Sequence, residues 1–245
     1  TELYSFNKVI YASLAIIMSI LTVEFLSIDF PLNKIDFFHE GQKLSAAYKN
    51  KLDGSLWSGS YVIVSIIYEI LNTKLAWKIT GQETIGSARF IDLIYILITK
   101  ILLVVLALQI SRFSNLSNIY KNFFFIIFSI LLTQQIDYDI YSSDTISSRE
   151  IPVILILIFF FKSLVSSTRT YLIIISFLVI STFFWSIDRA IVLLLFSFAI
   201  YLYLVINKKY SDVGILLISK LFFIIIFILF LNYEAKYFFL NTLNV

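Results

Sequence analysis

The sequence has no cysteine, one histidine, one methionine, two prolines and six glycines in 245 residues, and only 14% of its residues are charged. Without cysteine there are no disulfides, no thiolate nucleophile and no cysteine-ligated zinc or iron–sulfur centre. The single histidine, His39, rules out a multi-histidine metal site. A soluble domain of ordinary composition is roughly a quarter charged, so this chain carries too little charge to solvate a globule of its size. The formal net charge is only +3 and no dense basic stretch accompanies it, which argues against nucleic acid as a partner.

What the sequence does have is apolar length. Hydrophobic residues make up 60% of it, with a mean hydropathy of +0.92. They come in runs of about 18–20, enough to cross a roughly 30 Å hydrocarbon core at 1.5 Å per residue. The short alternating segments of an outer-membrane barrel are missing. The expected fold class is all-α: a polytopic transmembrane helix bundle forming one membrane domain over 1–245. About seven spans are expected, near 8–27, 91–111, 122–134, 151–167, 171–186, 190–207 and 213–233. The first is read as a retained span, because it is longer than a signal-peptide core and lacks a small-x-small cleavage site. Thr1 in place of methionine fits a trimmed N-terminus or a fragment.

The first outer connection, about 28–90, holds most of the polar residues. Its apolar piece at 61–71, YVIVSIIYEIL, is too short to cross and reads as a re-entrant or interfacial helix, with a pore-lining helix as the other option. His39 to Leu52 reads as an amphipathic helix on the membrane surface, with Leu44, Ala47 and Tyr48 on one face and Lys43, Lys49 and Lys51 snorkelling. Trp57, Tyr61, Tyr68 and Trp77 are expected at the lipid–water boundary. With 61–71 not crossing, Lys8, Arg112, Lys121, Arg169, Lys208 and Lys209 fall on one side, with only Glu2 and Asp212 as acids. Short basic connections stay cytoplasmic. The expected location is therefore a bacterial inner (plasma) membrane, crossed many times, with the N-terminus in the cytoplasm.

Four polar clusters then share the outer face. Asp36, His39 and Glu40 lie within five residues and suit general-base work or a divalent cation. They also suit a solvated loop with an N-capping acid. Gly81, Glu83, Gly86 and Arg89 could hold a phosphate through glycine amides and a guanidinium, or form a simple turn. Asp137 and Asp139 are two apart and would face one cation from an extended segment. Arg149 and Glu150 precede Pro152, with Arg149 a substrate-binding candidate and Glu150 equally a helix-dipole partner. Asp188 and Arg189 sit between two apolar runs, where charges pair or face a cavity. Lys100 and Lys220 lie inside apolar runs, facing the bundle interior or snorkelling.

The stretch Asp36-Phe37-Phe38-His39-Glu40-Gly41 resembles the short acidic motif in the first outer loop of GT-C class integral membrane glycosyltransferases, particularly bacterial members with D-x-x-H-[DE]-G. The resemblance covers roughly residues 1–190 by layout and a few dozen by motif. It departs in having histidine where the class carries adjacent carboxylates, and in lacking the further spans of full-length members. It implies an enzyme that moves a sugar from a lipid-linked (polyprenyl-phosphate) donor to a glycan or lipid acceptor in cell-envelope polysaccharide biosynthesis. Asp36, His39 and Glu40 would then be catalytic, and Glu83, Arg89, Arg149, Asp188 and Arg189 would bind substrate. Mg²⁺ or Mn²⁺ would be held by Glu40, Asp137 and Asp139. Two other readings stay open. A transporter or lipid-linked oligosaccharide flippase would show paired half-repeats and broken spans, which are not evident. A polysaccharide polymerase or ligase would lean on arginines in a large outer loop.

Overall fold

The computed structural model describes residues 2–28, 39–54, 56, 58, 66–114, 116–136, 149–165 and 169–243. Among them every regular element is helical and no strand occurs. The helices are α1 (Glu2–Leu26), α2 (His39–Asp53), a π-helical turn (Ile66–Leu71) running into α3 (Asn72–Thr80), α4 (Ile85–Phe113), α5 (Asn118–Gln134), α6 (Ile151–Val165), α7 (Thr170–Trp185), α8 (Ile187–Ile206), α9 (Tyr210–Leu231), a 3₁₀ turn (Asn232–Glu234) and α10 (Ala235–Leu243). All seven apolar runs are helices. Among the described residues four stretches are long and apolar enough to cross a membrane: Val9–Leu26, Ile85–Phe113, Ile187–Ile206 and Tyr210–Leu240. Helices α5, α6 and α7 have 17, 15 and 16 residues, about 22–26 Å at 1.5 Å per residue, short of a roughly 30 Å core.

The chain divides into two compact units. Unit one comprises 1–33 and 92–166, and unit two comprises 34–91 and 167–245. In unit one, Ile17 and Leu21 of α1 pack with Val104 and Ala107 of α4 and with Phe125 of α5. Leu103 and Leu106 of α4 meet Ile154 and Ile158 of α6. Neighbouring turns supply each pair, as a 3.6-residue period requires.

In unit two, α7, α8 and α9 form a three-helix bundle joined by tight connections at Ser186 and at Asn207–Lys209. Aromatic rings lock α7 to α9: Phe177 and Phe223 have centroids 5.3 Å apart, and Phe184 and Phe227 4.4 Å. Helices α2 and α3 and the π turn form a cap whose π turn packs on α7. Both cap helices end on glycines with positive φ, Gly54 at 73° and Gly81 at 69°. Each glycine N–H returns to a carbonyl of the last turn, Asn50 and Trp77 respectively, at 2.9 Å.

One expectation about the cap is corrected, the lipid-boundary placement of Tyr68 and Trp77. On α2 the buried residues are Ala46, Ala47 and Asn50, while Tyr48 is 52% exposed. Small residues let α2 lie close against the π turn and α3, and that contact decides the face. Tyr68 and Trp77 are buried inside unit two and not presented to lipid. The Lys43 ammonium sits 4.1 Å from the Tyr68 ring centroid, a cation–π contact that covers the ring.

Candidate functional site

The cap gathers a set of polar side chains that the chain separates widely. Glu40, in the first turn of α2, receives Nε of Arg89 at 2.5 Å and Nη2 at 2.9 Å, one nitrogen for each carboxylate oxygen. Both side chains are well shielded, at 5% exposure for Arg89 and 13% for Glu40. A two-point guanidinium–carboxylate pair of this kind fixes orientation as well as charge. Two residues along α2, Gln42 donates its amide to Glu69 of the π turn, and Glu69 is almost fully buried. Further along, the Lys74 ammonium donates to Asn50 Oδ1 at 2.7 Å. Lys51 pairs with Glu83 at the exposed end of the helix.

Of the residues singled out from sequence, the structure joins Glu40 to Arg89 and places Glu83 elsewhere on the cap surface. The glycine turn before α4 is internally committed. Gly81 N–H goes to Trp77, Ser87 N–H goes to the Thr84 hydroxyl at 3.2 Å, and Ala88 N–H goes to the Thr84 carbonyl. Asp188 and Arg189 pair at 3.2 Å at the start of α8, and the buried Ser186 hydroxyl also donates to Asp188. An acid in that first turn is favoured by the helix dipole. Arg149 lies partly buried before α6, in unit one. Asp36, Asp137, Asp139 and the side chain of His39 lie outside the described residues. Among the described residues no group of three histidines or acids could hold a metal ion.

Two acids not chosen from sequence are central. Glu69 is an ionisable residue within an apolar run, a signal that was available. Glu234 carried no local signal. It follows the break at Asn232, whose φ of 48° ends α9. Glu234 is 3% exposed and accepts Ser58 N–H at 2.9 Å, the Ser58 hydroxyl at 2.7 Å and Leu56 N–H at 3.5 Å.

Beside this polar set lies an apolar cavity of about 370 Å³. Its walls are Ile66, Ile67 and Leu71 of the π turn, with phenylalanines of α7 and α9 such as Phe184 and Phe230. The one hydroxyl on the wall, Ser181, donates to the Leu178 carbonyl at 3.2 Å and leaves the cavity apolar in character. The π turn therefore has two working sides: Tyr68 and Glu69 meet α2, while Ile66, Ile67 and Leu71 wall the cavity. A cavity of this size holds a drug-sized apolar group. The arrangement suits a molecule with an apolar body and a polar head. No family model, curated protein or solved structure matches the chain.

Proposed function

We propose that the chain is a membrane glycosyltransferase of GT-C type, moving a sugar from a lipid-phosphate donor to a cell-envelope glycan or lipid acceptor at the cap end of unit two. The observation that carries the reading is the two-sided π turn, which sets the buried Glu69 carboxylate beside an apolar cavity. A lipid-linked sugar has the same division, with its chain entering the cavity and its phosphate and sugar meeting the cap. In this reading the chain crosses the membrane seven times, with the shorter helices little tilted. The charge pattern of unit two supports the orientation. Arg169, Lys208 and Lys209 lie at the bundle end opposite the cap, and short basic connections favour the cytoplasmic side, which supports a cytoplasmic bundle end and an outward cap.

In the reaction the acceptor hydroxyl loses its proton to a carboxylate of the Asp36–Glu40 stretch. Its oxygen then attacks the anomeric carbon, and the donor phosphate leaves with the bonding electrons of the C–O bond. Direct displacement inverts the anomeric centre. Arg89 keeps Glu40 oriented for this work. A divalent cation would neutralise the leaving phosphate. Arg89 already sets a positive charge against Glu40, and among the described residues no group of three acids or histidines is placed to hold a cation.

The test is transfer of labelled sugar from polyprenyl-phosphate donors in membranes carrying the protein, with and without Mn²⁺. Glu40→Gln is expected to lower transfer about 100-fold or more, the usual worth of general acid–base catalysis. Ser181→Trp, which fills the cavity, is expected to raise the donor KM. Absence of transfer from every donor, with the protein inserted and helical, overturns the reading in favour of transport.

A further inference from the structure

Lys220 lies halfway along α9, in the bundle of unit two. Its one hydrogen bond among the described residues is donated to the Ser197 hydroxyl on α8. Ser197 is 1% exposed and passes its own proton to the Leu194 carbonyl at 2.9 Å. An ammonium has three N–H donors. One is used, and no carboxylate among the described residues lies within ion-pair reach of the charge.

Depth makes this arrangement informative. Lys220 is ten residues from the start of α9, about 15 Å at 1.5 Å per residue, and Ser197 is nine residues from the end of α8. The ammonium is thus tied at mid-bundle and does not snorkel to a boundary. The apolar cavity is not lined by Lys220, so it offers no water-filled refuge. Charged residues at such depth are paired or face a wet cavity. Unit one shows the paired solution in this same chain: Lys100, in the middle of α4, meets Glu24 of α1 at 2.5 Å. One turn from Lys220 and Ser197, Leu217, Ile224 and Leu194 are 50%, 38% and 39% exposed, an apolar surface flanking the charge.

We propose that the α8–α9 face around Lys220 is the docking surface for a transmembrane helix of a partner protein, one that carries an aspartate or glutamate at mid-membrane depth. Charge complementarity selects this occupant. A lipid phosphate stays at headgroup level, about 14 Å of helix away from Ser197. A second copy of the chain is a poorer fit, because the acids along its first two long apolar helices are taken within each copy: Glu24 is held by Lys100, and Asp92 is only 7% exposed.

The experiment reconstitutes the full chain in phosphatidylcholine vesicles with dansyl-labelled leucine–alanine peptides of about 20 residues, bearing Asp, Asn or Leu at the centre. Energy transfer from the protein's three tryptophans reports association. The Asp peptide is expected to bind about tenfold more tightly than the other two. The preference disappears in Lys220→Met and returns when Lys220→Glu is paired with a central-Lys peptide. Lys220→Gln, which keeps a polar contact with Ser197, replaces the Met variant if that one does not insert. Equal binding of all three peptides overturns the proposal, as does an Asp preference that survives loss of the lysine. A Lys220-dependent dimer of the wild-type chain alone also overturns it, since the occupant is then a second copy.

Discussion

Unit one and unit two each carry a lysine in the middle of an apolar helix, and they treat it differently. Lys100 is 1% exposed and is met by the carboxylate of Glu24. Lys220 is met by a neutral hydroxyl. A cation shut away from water needs a compensating charge, or the cost of removing it from water goes unrecovered. Unit one supplies that charge internally, whereas among the described residues of unit two no carboxylate meets Lys220. Unit two does use matched pairs elsewhere, since Arg89 and Glu40 close the cap on themselves. The unmatched lysine is therefore a property of the α8–α9 face and not of the whole unit.

The largest effect that sharpens this contrast is expected from Arg89→Ala. Removing the guanidinium from a shielded Glu40 costs about 3–5 kcal/mol, the usual cost of breaking a buried pair from one side. It is read as loss of thermal stability in detergent, and Glu40→Leu with Arg89→Met together costs much less. Next comes a pair of variants with opposite signs. Glu24→Ala is expected to cost about 2–3 kcal/mol, below the buried range because Glu24 is 39% exposed. Lys220→Met in the isolated chain is expected to be neutral or stabilising by about 1 kcal/mol, since it exchanges a half-buried charge for packing. Equal losses in these two variants would break the comparison, because Lys220 would then have a partner within the chain. The smallest effect is Lys51→Gln, at or below about 0.5 kcal/mol in the same melt. Lys51 and Glu83 are 48% and 45% exposed, and water screens such pairs.

Much of the fold was legible because a membrane helix declares itself in composition. Each of the seven apolar runs is a helix, from Glu2–Leu26 to Tyr210–Leu231. The lengths of α5, α6 and α7 make the number of crossings harder to read, since helices of 15–17 residues fit a core or a thin span equally well. The site was legible by residue and not by pairing. Glu40 and Arg89 were each visible, but they are 49 positions apart, and only the folded cap makes them one feature. Before the fold was known, the same arginine looked free to hold a phosphate. Glu69 stands out as an ionisable residue in an apolar run, but the period of that run says nothing about its partner Gln42, 27 positions away. The α2 sequence sets Leu44, Ala47 and Tyr48 on one face, but it does not show that the helix packs on the π turn, the contact that buries the small Ala46 and Ala47.

The bond between Glu234 and Ser58 joins groups 176 positions apart. Such a contact closes late, because the loop it spans must first be gathered. During synthesis from the N-terminus, residues 39–91 emerge long before α9 is made. The early segment must therefore wait, with its serine donors uncommitted, until the last long apolar helix arrives. This makes Glu234 a check on completeness: a chain that stops within α9 retains nearly all its apolar helices, yet leaves the Ser58 end of the cap unfastened.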